Sequence, residues 1–304
     1  MPKIAYIDKR FRAATLEIIT TSNEIITDYS AQGYDLTLRQ LYYQMVSRDI
    51  IPNSQKEYDK LGRTISDARM AGLVDWSAIV DRTRGLKGNS HWSNPQSIMQ
   101  SVAYSYKIDK WAGQPNRVEV WIEKDALVGV ISGVCQRLDI DYFSCRGYTS
   151  QSEMWVAGQR LERYIDNGQR PIILHLGDHD PSGIDMTRDV TDRLETFMGG
   201  TKVQRIALNY DQVEQYSPPP NPAKTTDTRA ADYIEIHGHS SWELDALDPA
   251  TISALIEDAV TQFRDDGLWG EATKRESRQR ELLEQASTEW DDIVSMLGGK
   301  NGKK

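Results

Sequence analysis

Two stretches decide the reading: "EVWIEKDALVGV", residues 119–130, and "ILHLGDHDPSGIDM", residues 173–186. Each is an apolar run that stops on acidic residues and passes straight into a helical pattern. Around them the chain alternates in the same way. "VEVWI" (118–122) reads as a strand, and the next helix carries Leu127, Val130, Ile131, Val134 and Leu138 on one face. "DYFSC" (141–145) is a strand and "SEMWVAGQRLERYI" (152–165) a helix. "PIILHL" (171–176) is a strand; the helix after it buries Ile184, Val190, Leu194 and Phe197, and "VQRIAL" (203–208) closes the series. Strands alternating with helices imply a parallel sheet covered on both faces. Ligand chemistry in such sheets collects at the carboxyl ends of the strands, where Glu123, Asp178 and Asp180 stand.

Three carboxylates converging at strand ends repel one another unless a hard cation binds them. Magnesium, or manganese in its place, suits a site of few carboxylates that leaves positions for water and phosphate oxygens. The plainer account of Asp178 and Asp180 is a helix N-cap, a position that favours aspartate. One aspartate suffices for a cap, and the pair in "GDHDPSG" together with Glu123 favours the metal reading.

Ahead of this region lies a helical pattern. Residues 12–30 have helical spacing of apolar groups. A second helix opens at Thr37, which with Gln40 forms a capping box, and its apolar stripe is Leu38, Leu41, Tyr42 and Met45. A third opens at Ser54 and runs to Gly72, with Tyr58, Leu61, Ile65 and Ala68 inward and Lys56, Lys60 and Arg63 outward. "LVDWSAIVDRTRG" (73–85) then reads as a β wing. Two helices and a wing predict a winged-helix DNA-binding domain, while a helical hairpin with a solvated basic face has the same periodicity. The expected organisation is an α+β winged-helix domain over 1–90, a linker over 91–116, an α/β domain with a Rossmann-like parallel sheet over 117–250, and a helical extension with a disordered tail over 251–304.

The chain has 304 residues, a formal net charge of −9 and two cysteines. That charge argues against indiscriminate coating of nucleic acid, although screening still permits a local basic face. No apolar stretch approaches a membrane span, the first residues lack the apolar middle of a signal peptide, and a reduced cytoplasmic setting is expected. "HGHSS" is a poor zinc signal, and "WELDALDP" reads as an apolar anchor for the last helices. The proline-rich stretch 216–230, which carries Lys224 and Arg229, reads as a rigid connection or, alternatively, a DNA-facing loop.

"IEKDAL" (122–127), "GYTSQSE" (147–153) and "LGDHDPSGIDM" (176–186) resemble, in order and rough spacing, a toprim domain. They are most similar to the version in the topoisomerase VI A subunit and the meiotic double-strand-break transesterase. That family places a winged-helix domain before the toprim domain and uses a tyrosine from an R-x-x-Y-Y-like helix; here the matching stretch is "RQLYYQ", Arg39 to Gln44. The second tyrosine of the pair is the family's nucleophile. Helical geometry also turns Tyr43 about 100° from Tyr42, away from the core stripe. The resemblance therefore implies Tyr43 as nucleophile, with Arg39 and Glu123 assisting. It implies a metal held by Glu123, Asp178 and Asp180, and Arg39, Lys56, Lys60 and Arg63 on the phosphates of double-stranded DNA. It further implies a homodimer, in which one subunit's tyrosine meets the other's metal site, and a separate ATPase subunit, since no phosphate-binding G-x-x-x-x-G-K-[ST] loop occurs. So compact a version fits a prokaryotic or phage setting. Two rivals remain: a toprim nuclease that activates water at the same metal, and a DNA-binding module that does not turn over.

Overall fold

The computed structural model describes residues 3–34, 36–80 and 89–298. Along the chain come α1 (Ala13–Ala31), α2 (Leu38–Ser47), α3 (Gln55–Met70) and α4 (Pro95–Ser105). The alternating region follows as β1 (Asn116–Ile122), α5 (Val128–Leu138), β2 (Asp141–Ser144), α6 (Gln151–Asp166), β3 (Arg170–Leu176), α7 (Pro181–Met198) and β4 (Lys202–Ala207). After it come α8 (Tyr210–Tyr216), β5 (Asn221–Pro222), α9 (Ala230–His237), β6 (Ser240–Ser241), α10 (Pro249–Thr261), α11 (Asp266–Thr288) and α12 (Trp290–Gly298).

The expected α/β architecture is present as a four-stranded parallel sheet in the order β2-β1-β3-β4. β1 and β3, the two central strands, are buried almost throughout, as strands covered on both faces must be. On one side Trp121, Met154, Leu161, Ile173, Val190 and Leu194 form a core between the sheet and α6 and α7. α5 and α10 pack against each other. Because β1 and β3 are neighbours, their carboxyl ends meet: the Glu123 N–H donates to the Leu176 carbonyl at 2.9 Å.

The helix starts follow the sequence. In α2 the Gln40 N–H donates to the Thr37 hydroxyl and the Thr37 N–H to the Gln40 side chain, and Ser54 caps α3. The wing is a different matter. Between residues 73 and 80 the described chain forms no strand, only a single bridge from Ile79 to Leu36, and the remainder of the expected wing, 81–85, lies outside the described residues. Among the described residues a winged-helix domain is not seen.

The chain divides into two compact units, and not at the expected boundary. One comprises Met1–Arg84 with Val118–Phe263, so the N-terminal helices and the sheet belong to a single body; the other comprises Gly85–Arg117 with Arg264–Lys304. The stretch 91–116 is not a bare linker. It carries α4, opened by an Asn94–Ser97 capping box with Pro95 in the first turn, and α4 packs along α11. Here the Trp111 ring lies 5.8 Å from that of Trp269, and Lys110 pairs with Glu276 at 2.8 Å. The residues expected as a C-terminal extension are shared, α10 going to the sheet and α11 and α12 to the second unit. The expected disordered tail, from 299 on, lies outside the described residues. No described helix is long and apolar enough to cross a membrane.

One charged pair inside the sheet gives a test of the fold. Glu119 on β1 is fully buried; it accepts from Arg160 Nε and Nη2 at 2.8 and 2.9 Å and from the Trp121 indole at 2.9 Å. Arg160→Met leaves that carboxylate unpaired, and a loss of about 3 kcal/mol is expected in chemical denaturation. The double variant Glu119→Gln/Arg160→Met should recover most of it.

Candidate acidic site at the strand ends

The site is built on the loop between β3 and α7, where the backbone is crowded. A Cβ on Gly183 would lie 2.3 Å from the Asp178 carbonyl oxygen, so only glycine fits there, and one on Gly177 would lie 2.8 Å from Glu123 Oε2 and displace that carboxylate. Glu123 Oε2 accepts from the Asp178 N–H at 2.9 Å. From β4, Arg205 reaches underneath and donates to the carbonyls of Gly177 (2.9 Å), Asp178 (2.6 Å) and Gly183 (2.9 Å). Burial pushes the Arg205 guanidinium down to about 10, against the pull of Glu123, Asp178 and Asp180.

A distant segment completes the site. His179 and Trp242 exchange backbone hydrogen bonds at 2.8 and 2.9 Å, which lays residues 243–245 against the loop. Asp178 Oδ1 accepts from the Leu244 N–H at 2.7 Å. Asp178, Glu243 and Asp245 thereby converge, each offering an oxygen within 4.8 Å of the others. Two side chains neutralise them. Lys124 Nζ lies 2.9 Å from Asp178 Oδ2, 2.5 Å from Glu243 Oε2 and 3.0 Å from Asp245 Oδ1. Arg39, from α2, places Nη2 at 2.6 Å from Glu243 Oε2 and Nε at 2.7 Å from Asp245 Oδ2.

The electrostatics follow from burial and pairing. Burial pushes the Asp178 carboxyl up to about 7, although Lys124 pulls it the other way. Burial also raises Glu123. Glu243 goes down to about 2, because Lys124 and Arg39 outweigh its desolvation. Burial works against the charge on Lys124, yet Asp245, Asp178 and Glu243 together hold its ammonium above the ordinary range.

The sequence-predicted residues are distributed unevenly. Glu123 reaches the backbone N–H of Asp178, and among the described residues it is not one of the acids that converge. Asp180 does what the plainer account asked of it: its Oδ1 caps α7 through the Gly183 N–H at 2.6 Å and also accepts from the Ser182 hydroxyl at 2.9 Å. Among the described residues the converging acids are Asp178, Glu243 and Asp245. Asp180 instead lines a cavity of about 340 Å³ shared with Arg39, Tyr43, Lys224, Trp242 and Glu243. Lys56, Lys60 and Arg63 sit on the exposed side of α3, with Lys60 bound to Glu57 at 3.0 Å.

The two tyrosines differ in their hydroxyls rather than their exposure. Tyr43 was expected to face away from the core, yet it is only 6% exposed, because the segment around Leu244–Ala246 packs on α2 and covers its second face. The Tyr42 hydroxyl is committed, donating to Asn53 Oδ1 (3.0 Å) or the Ser54 carbonyl (3.1 Å) and accepting from the Ser54 N–H (2.7 Å). Tyr43 lies beside the acids with the Arg39 guanidinium 5.7 Å from its ring centre. Burial, then Asp245 and Glu243, push its phenol up to about 12, while Arg39 and Lys124 oppose them.

Glu243, Asp245, Lys124 and Arg205 were missed as site residues. "IEKDAL" and "WELDALDP" display the first three, but only the fold joins the two stretches. In comparisons with known proteins, the chain matches no family model and no curated protein.

The Tyr43 environment is testable by absorbance titration. In the difference between wild type and Tyr43→Phe, phenolate absorbance should be absent at pH 10, where an ordinary tyrosine is half ionised, and emerge towards about 12. With a folded value above the unfolded one, the stabilisation from Tyr43 is whole below about pH 10 and disappears as pH rises through about 12. Glu243→Gln should move the onset downward.

Proposed function

We propose that this chain is a divalent-metal-dependent DNA strand-cleaving protein of the toprim, topoisomerase VI A-subunit-like type, with Tyr43 as nucleophile. The observation that carries the reading is that Tyr43 and Arg39, from the N-terminal helices, line one cavity with Asp180 and Glu243 at the carboxyl end of the sheet. The likeness of the "IEKDAL" and "GDHDPSG" stretches to the toprim pattern supports it.

The donor set fits the metal. Three carboxylates offer hard oxygen ligands within 4.8 Å of one another, and magnesium with bonds of about 2.1 Å sets opposite ligands about 4.2 Å apart. Asp178, Glu243 and Asp245 would hold magnesium or manganese, with Glu123 bracing the Asp178 backbone; Asp180, named with Glu123 and Asp178 by the toprim pattern, would remain the cap of α7. When bound, the ion supplies charge stabilisation to phosphate oxygens. The chain's own groups do the rest. Arg39, with Lys56, Lys60 and Arg63 farther out, would position backbone phosphates of double-stranded DNA. The Tyr43 oxygen would attack phosphorus, forming a phosphotyrosyl bond as the bond to one sugar oxygen breaks. The phenolic proton is lost and the departing oxygen leaves as a hydroxyl. A phenol held near 12 needs help to ionise, and Arg39 and Lys124 both favour the phenolate. Tyrosine and acids meet within one chain, so this chemistry does not require the second subunit's site; a homodimer and a separate ATPase subunit would serve strand passage instead.

A hydrolytic nuclease is the second reading, favoured by the burial of Tyr43. Incubation of end-labelled plasmid with protein and Mg²⁺, followed by a denaturing gel, separates the two. Label should remain on the protein for wild type and Tyr42→Phe, and vanish for Tyr43→Phe. Undiminished cleavage by Tyr43→Phe means hydrolysis; no cleavage by any form refutes both readings.

A further inference from the structure

Lys124 stands where the metal reading needs a metal. Its ammonium bonds one oxygen of each of the three converging carboxylates, at 2.5–3.0 Å, and its side chain is only 17% exposed. Two of the second oxygens also face donors. Asp178 Oδ1 is committed to the Leu244 N–H, and Asp245 Oδ2 lies 2.7 Å from Arg39 Nε. A divalent ion that took up the three carboxylates through the oxygens Lys124 holds would have to displace its ammonium. Charge says the same: three carboxylates set against Lys124 and Arg39 leave one negative charge, too little to hold a divalent ion beside both cations. The two cations are not equivalent. Arg39 grips the outer edge, through Glu243 and Asp245 alone, and its side chain is 45% exposed. Lys124 alone touches all three.

We infer that Lys124 is a tethered competitor of the metal, an internal cation that offsets the charge of the acid cluster until a divalent ion displaces its ammonium. This rests on the metal reading above, but it concerns regulation of the site and not the chemistry on DNA. In the resting protein Lys124 and Arg39 pair with the buried carboxylates. Metal affinity is correspondingly weakened, since every uptake must break three short ion pairs.

Titration calorimetry with Mn²⁺ alone, in the absence of DNA, tests this on the full chain. Lys124→Met should bind Mn²⁺ at least tenfold more tightly than wild type, whereas Lys124→Arg, which keeps the charge, should not. Asp178→Asn should lose binding in either background. Should Lys124→Met prove poorly folded, its melting temperature should rise with added Mn²⁺ by more than that of wild type. Equal or weaker Mn²⁺ binding by Lys124→Met, or a melting temperature that Mn²⁺ does not raise, overturns the competitor role while wild-type binding leaves the metal reading intact. Absence of Mn²⁺ binding in wild type and Lys124→Met alike overturns both.

Discussion

Buried carboxylates must be neutralised, and in this protein that requirement ties the N-terminal helices to the sheet. Asp178 and Asp245 are almost wholly removed from water, and Glu243 lies beside them. Left alone, each would either cost several kcal/mol or stay protonated. Lys124, at the end of the first strand, meets all three, and Arg39 arrives from α2 to share Glu243 and Asp245. A helix that would otherwise pack only through its apolar stripe is thereby fixed over the carboxyl edge of the sheet, with its tyrosines inside.

The backbone around the cluster is held with corresponding care. Arg205 spends its guanidinium on three loop carbonyls, and Gly177 and Gly183 leave no Cβ where Glu123 and the Asp178 carbonyl press in. The bridge between His179 and Trp242 holds the 243–245 segment in register with the loop. Around that bridge His179, Tyr233, His237 and Trp242 stack edge to face, which gives the apolar side of "HGHSSWELDALDP" a structural role. Each charged group is thus placed by a contact that cannot be relaxed without moving its neighbours.

Much of the fold was legible because it is written in local patterns. The alternation of apolar runs with helical stripes pointed to the parallel sheet, and the hydroxyl caps at Thr37 and Ser54 marked helix starts to within a residue. The signal for α4 was also present, as "NPQS" with its cap and first-turn proline, but its many turn formers suggested a linker. What could not be read were contacts between distant stretches. Asp178 and Leu244 are 66 residues apart and Lys124 and Asp245 are 121 apart, and no periodicity links them. The burial of Tyr43 was hidden for the same reason: a helical wheel shows which face is apolar, not which polar face another segment will cover. Conversely, Asp180 shows that a residue type suited to two roles is settled only by its neighbours, here the N–H groups of a helix start.

The charges that make the fold possible also set the state of Tyr43. Asp245 and Glu243 hold its proton on, while Arg39 and Lys124 favour its loss, and burial adds to the acids' side. A phenol in this position is therefore inert when the acids prevail and more acidic when they are offset. Any cation drawn to Glu243 or Asp245 shifts that balance towards phenolate, whether it is a metal ion or a side chain. Of the two resident cations Arg39 is the more exposed and pairs with Glu243 and Asp245, whereas Lys124 pairs with all three acids. The Arg39 guanidinium lies 5.7 Å from the centre of the Tyr43 ring. The protonation of Tyr43 therefore depends on how charge is shared among Lys124, Arg39, Asp245 and Glu243.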